Sequence, residues 1–181
     1  MVHTRQSTHE MKQLDIPLER DSFLRDLIRE LSGLLEEMVG QEETAGFISV
    51  VGQRLGDRIN QLYRQEMESP KLDRQQVASV LTDLKRRING NFVIDEQSDN
   101  KIILVNTECP FAEKVKNRTS LCMMTSNVFG VITADNLGYA KVDLEKTIAQ
   151  GDKRCQVVVY LNSGNEETRT AQGREYFETA E

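Results

Sequence analysis

The sequence predicts an α+β domain, an antiparallel sheet of about four strands with helices packed on one side. Three observations predict it. Apolar residues recur at helical spacing through the first half of the chain. After Asn89 the pattern turns extended. Polar turn clusters, Ser98-Asp99-Asn100 and Gln150–Lys153, join the extended runs into two hairpins. The order is three N-terminal helices, a hairpin, one helix and a second hairpin.

Residues 1–19 lack apolar periodicity and read as a flexible lead-in. From Arg20 to Val39, Leu24, Leu27, Ile28, Leu31, Leu34, Leu35 and Met38 repeat at three- and four-residue intervals, and Gly40 stands where a helix stops. A second helix runs from about Glu42 to Met67 with Phe47, Ile48, Val51, Leu55, Ile59, Leu62 and Tyr63 on its apolar side. It carries Gly46, Gly52 and Gly56, each costing roughly 1 kcal/mol against alanine in a helix interior. Such glycines point either to close helix–helix contact or to room for a ligand or a bend. Ser69-Pro70 ends that helix. Asp73 caps a third that reaches Asn89 and buries Val77, Val80, Leu81, Leu84 and Ile88.

Phe92-Val93-Ile94 and Ile102–Val105 flank the turn Ser98-Asp99-Asn100, a hairpin signature. After a loop over Thr107–Asn117, Ser120–Leu137 is again helical and ends at Gly138. Tyr139–Ile148 and Cys155–Leu161 form the second hairpin. One domain thus spans 20–161. Residues 162–181 read as a charged, flexible tail in which only Tyr176 and Phe177 could anchor.

Composition narrows the function. A net charge of -6 gives no basic footprint for nucleic acid, and 6% aromatics without tryptophan weaken any base-stacking surface. No apolar run approaches the ~20 residues of a membrane span, and the polar N-terminus offers no export signal, so a cytoplasmic protein is expected. His3 and His9 are the only histidines and lie in the N-terminal lead-in. Unless that segment folds back, the fold has no imidazole for a Ser-His-Asp triad, a Cys-His pair or a mixed Cys/His zinc site.

The chemistry therefore rests on Cys109, Cys122 and Cys155. Cys109 opens the loop after the second strand, ahead of Pro110. Cys122 falls in the first turn of the fourth helix, where the helix dipole favours a thiolate, and Cys155 starts the last strand. A strand end, a helix start and a strand start can meet at one sheet edge. Three readings stay open: small buried hydrophobes, thiolate ligands of zinc or an iron–sulfur cluster, or a redox or nucleophilic thiol. Met123, Met124 and Phe129 share a helix that serves either as core or, opposite Gly52 and Gly56, as the wall of a pocket for a small apolar ligand. The basic run Lys114, Lys116 and Arg118 reads as a solvated loop.

The segments Cys109-Pro-Phe, Ser120-Leu-Cys-Met-Met-Thr-Ser-Asn-Val-Phe-Gly, Leu137-Gly-Tyr-Ala-Lys-Val and Ile148-Ala-Gln-Gly-Asp, with Cys155, resemble the methanogen output domain family. More distantly, the last helix, hairpin and Gly-Asp-x-x-Cys ending are similar to 4-vinyl-reductase-type sensor domains, whose fold is shared with vesicle-tethering TRAPP subunits. The resemblance implies a signalling or regulatory sensor module and a homodimer that passes its change to a signalling partner. It also implies a cysteine-rich zinc site supporting an apolar ligand pocket. Cys155 matches the cysteine after the Gly-Asp turn and Cys122 the helix-borne ligand. Thr147 stands where the sensors carry another cysteine, with Cys109 as its substitute, which leaves iron–sulfur beside zinc. The alternative function is a thiol- or metal-dependent hydrolase or reductase acting on a small molecule. The apolar breadth of the first two helices points to them as the dimer face.

Overall fold

A computed structural model describes residues 15–178 except Pro17; His3 and His9, like most of the expected N-terminal lead-in, lie outside the described residues. The elements are α1 (Arg20–Val39), α2 (Gln41–Glu66), α3 (Arg74–Arg86), β1 (Val93–Gln97), β2 (Lys101–Asn106), α4 (Cys122–Leu137), β3 (Tyr139–Lys146), β4 (Cys155–Tyr160), α5 (Glu166–Thr170) and β5 (Arg174–Phe177). Short 3-10 turns cover Ala112–Val115, Thr119–Leu121 and Ile148–Gln150.

The sheet is antiparallel throughout, in the order β1-β2-β4-β3-β5. Its fifth strand corrects the expected four. It comes from the segment read as a tail, where Tyr176 pairs with Ala140 and buries its ring. The ring lies flat over Gly130 of α4, where an added Cβ would come within 2.1 Å of it. Its hydroxyl pairs with the Ser126 hydroxyl at 2.9 Å. α5, capped by Asn165, holds the preceding stretch to the sheet: Lys141 donates to the Thr168 carbonyl and Lys101 pairs with Glu167. Composition alone missed this because two side chains and a few backbone bonds suffice once the strand edge of β3 exists to receive them.

Ten of the sixteen residues of α4 are buried, Ser126, Asn127, Thr133 and Asn136 among them, so it forms the middle layer. One side packs on the sheet through Phe129, Ile132 and Val128, beside Ile102, Leu104, Val142, Val157 and Val159. α2 crosses the other side. Asp73 caps α3 with a reciprocal capping box, its carboxylate accepting from Gln76 N (2.8 Å) while Gln76 Oε1 accepts from Asp73 N (2.9 Å).

α1 and α2 are separated only by Gly40, whose φ of +89° is a conformation that L side chains rarely adopt. Their apolar faces are largely outside: Leu27, Leu31, Leu34 and Met38 of α1 and Phe47, Val50 and Leu62 of α2 are exposed. α1 buries only Ser32 and Gly33. The periodicity located both helices, but it could not say that their stripes would face away from the sheet.

Candidate functional site: a three-thiol cavity closed by Lys85

The three cysteines line one cavity of about 390 Å³. They arrive from three places: Cys109 from the loop after β2, Cys122 from the start of α4 and Cys155 from the start of β4, where Cys155 also pairs with Asn106 of β2. Around them stand Phe92, Phe111, Met124, Leu144 and Val157, and α1 contributes Leu24, Arg25 and Ile28. Val115, Leu121 and Ala149 form a small cluster against which Cys109 and Cys122 pack. All three thiols are free.

The polar member that the sequence reading overlooked is Lys85. It projects from the last turn of α3, is only 5% exposed, and lines the same cavity. Its ammonium donates to Thr125 Oγ1 at 2.7 Å and lies 5.5 Å and 5.2 Å from the ring centres of Phe92 and Phe129. A signal was present. Lys85 follows Val77 and Leu81 at four-residue intervals, so it occupies the buried face of α3. Ile88, expected on that face, is 52% exposed.

Burial dominates the electrostatics. It pulls Lys85 down to about 8, and the neighbouring thiols, through their charged forms, act in the opposite direction. Burial likewise pushes the Cys109 thiol up. Cys122 is pushed up to about 12, first by burial and then by Cys155 and Cys109, with only a partial offset from the Thr147 hydroxyl and Lys85. This reverses the thiolate expected at a helix start. Cys122 follows a 3-10 turn, and the loss of water outweighs the dipole there.

The donor set also bears on a metal. Among the described residues, no group of three or more His, Cys, Asp or Glu side chains stands in metal-holding geometry. A buried ammonium beside the thiols further opposes a second cation.

Of the expected pocket wall, Met124 lines the cavity, and the others lie elsewhere. Gly52 and Gly56 sit in the α2–α4 contact, where an added Cβ would come within 2.8 Å of Asn127 Cβ and 3.1 Å of Val131 Cβ. They serve close helix approach. Phe129 is fully buried and meets Phe92 edge-on at 5.5 Å. Met123 faces a shallower depression beside Gln41 and Thr119. The basic run does not project freely into solvent. Lys114 pairs with Asp26 at 2.6 Å, Arg118 reaches Glu36 at 3.5 Å, and Arg29 donates to the carbonyls of Lys114 and Lys116. Ser120 adds a hydrogen bond to Glu36 at 2.6 Å. α1 is thus held over the cavity mainly by polar links.

No helix among the described residues is long and apolar enough to cross a membrane. No curated protein matches the chain. Among solved structures it is similar to a trafficking protein particle complex subunit 3 from Naegleria fowleri, described as covalently bound to palmitic acid. The TM-score is 0.58 at 13% identity, over 79% of this chain and 95% of that one, a likeness of fold. The model of methanogen output domain 1 matches residues 27–160, from within α1 to the end of β4 and including Lys85 and all three cysteines. The chain belongs to the methanogen output domain 1 family.

Proposed function

We propose that this output domain is a cytoplasmic regulatory module that senses a small apolar ligand in the Lys85/three-cysteine cavity. The observation that carries the reading is the cavity itself, of ligand-binding size and predominantly apolar, with a few polar groups converging on it. The palmitic acid carried by the trafficking subunit supports an apolar occupant for this kind of fold.

The output would run through α1. Leu24 and Ile28 wall the cavity, while Leu27, Leu31, Leu34 and Met38 of the same helix form an exposed apolar face. An occupant that shifts α1 shifts that face, and with it a homodimer or a docked signalling partner. Burial holds Cys109 and Cys122 protonated at neutral pH, which favours binding without turnover over an enzyme. Zinc or an iron–sulfur cluster is the competing occupant, and metal analysis of anaerobically purified protein decides between them.

The test is saturable binding of an uncharged apolar probe, N-phenyl-1-naphthylamine, to the full chain. Binding should be lost in Met124→Trp, which fills the cavity, and kept in Leu31→Ser, which alters only the exposed face. Binding that survives the filled cavity, or none at all in the wild type, would overturn the reading.

A further inference from the structure

We propose that the cavity takes a small apolar monocarboxylic acid, its carboxylate ion-paired with Lys85 and its tail lying between Met124 and the α1 residues Leu24 and Ile28. The proposal rests on the sensing role of this cavity and adds the chemical class of the occupant.

It starts from an unbalanced charge. Lys85 is 5% exposed, and among the described residues its ammonium has a hydroxyl and two aromatic faces for company but no carboxylate in ion-pair range. Asp21, the one carboxylate on the cavity wall, is engaged with Arg25 at 2.7 Å. Burial keeps two of the neighbouring thiols, Cys109 and Cys122, neutral. Buried charges in proteins are paired or neutralised. An amine kept in such a place, on the wall of a space large enough for a ligand, has its counter-ion supplied from outside.

The class follows from the same geometry. A single ammonium matches a singly charged head, whereas a phosphate would bring a second charge into a site with no second cation at that depth. The other cations on the wall are already paired, Arg25 with Asp21 at 2.7 Å, though its buried Nε has no partner among the described residues, and Arg87 with Asp83 at 2.6 Å. Beyond Lys85 and Thr125 the lining is mostly aliphatic and aromatic, which suits a hydrocarbon tail or ring and not a sugar or nucleotide. In a water-poor site a charge-assisted hydrogen bond is stronger than in water, so the head group should contribute strongly to selectivity.

Isothermal titration of the full chain at pH 7 with decanoate and with 1-decanol tests this. Decanoate should bind at least about tenfold more tightly than decanol, the discrimination expected of a hydrogen bond to a charged group. Lys85→Met should erase the preference for decanoate over decanol, and Lys85→Gln serves the same purpose should the methionine variant fold poorly. Equal binding of acid and alcohol by the wild type, or an acid preference that survives in the Lys85 variants, would sink the carboxylate proposal and leave the apolar cavity standing as a sensor. If neither compound binds saturably, the sensing reading fails as well.

Discussion

Replacing Lys85 by methionine should stabilise the unliganded protein at neutral pH and not at high pH. Methionine keeps the length and apolar stem of the side chain and removes the charge. Lys85 has its pKa lowered from 10.5 to about 8, so the fold disfavours the ammonium by about 3 kcal/mol when it is fully protonated. Because the folded value is the lower one, the unfolded chain binds more protons between pH 8 and 10.5. Wild-type stability therefore rises through that window, and the penalty should shrink to about 1 kcal/mol by pH 10. Methionine also loses the hydrogen bond that even the neutral amine makes to Thr125, about 1 kcal/mol at any pH. The net expectation is a variant about 2 kcal/mol more stable at pH 7 and no more stable than wild type at pH 10.

The groups facing Lys85 across the cavity are Cys109, Cys122 and Cys155, with Asp21 and Arg25 from α1 and Arg87 beyond the end of α3. They are common to both proteins and so largely cancel in the difference. Urea unfolding of wild type and variant at pH 7, 8.5 and 10 measures it. A difference that does not change with pH would refute the reasoning, because it would mean that the Lys85 charge is already compensated inside the fold.

Gly130→Ala should cost about 3 kcal/mol or more, since its Cβ would fall 2.1 Å from the rigid Tyr176 ring, and β5 should detach first; hydrogen exchange of β5 amides together with a lowered Tm checks both effects. Cys122 should alkylate with iodoacetamide at pH 8 far more slowly in the native protein than in urea, because burial holds it at about 12, and native labelling at the rate of a free thiol would contradict that environment. The apolar faces of α1 and α2 should pair two copies of the chain, giving a dimer by light scattering at tens of micromolar, and Leu31→Glu with Leu34→Glu should return it to a monomer without lowering its melting temperature appreciably.

Much of this architecture is dictated locally, and the sequence by itself determined it. Leu24 to Met38 and Phe47 to Tyr63 repeat at helical spacing whatever they pack against. Asp73 with Gln76 closes a capping box from four residues. Ser98, Asp99 and Asn100 bring Val93–Gln97 back onto Lys101–Asn106, so the positions of the helices and strands read from the sequence were legible with shifts of up to three residues. The positions of Cys109, Cys122 and Cys155 at a strand end, a helix start and a strand start were legible in the same way.

What only the tertiary structure decided was which faces meet and how much water remains between them. Periodicity marks a stripe as apolar without choosing its partner, so the α1 stripe faces solvent while Lys85, in line with Val77 and Leu81, is sealed inside. The glycines of α2 could have marked space or contact, and it is the approach of α4 that makes them contact. Tyr176 and Phe177 looked too few to fold a charged segment, until the free edge of β3 supplied the hydrogen bonds. The dipole argument for a Cys122 thiolate was sound for an exposed helix start. It failed because desolvation depends on every neighbour at once, and those neighbours come from α1, α3, β3 and β4, which no window of sequence brings together.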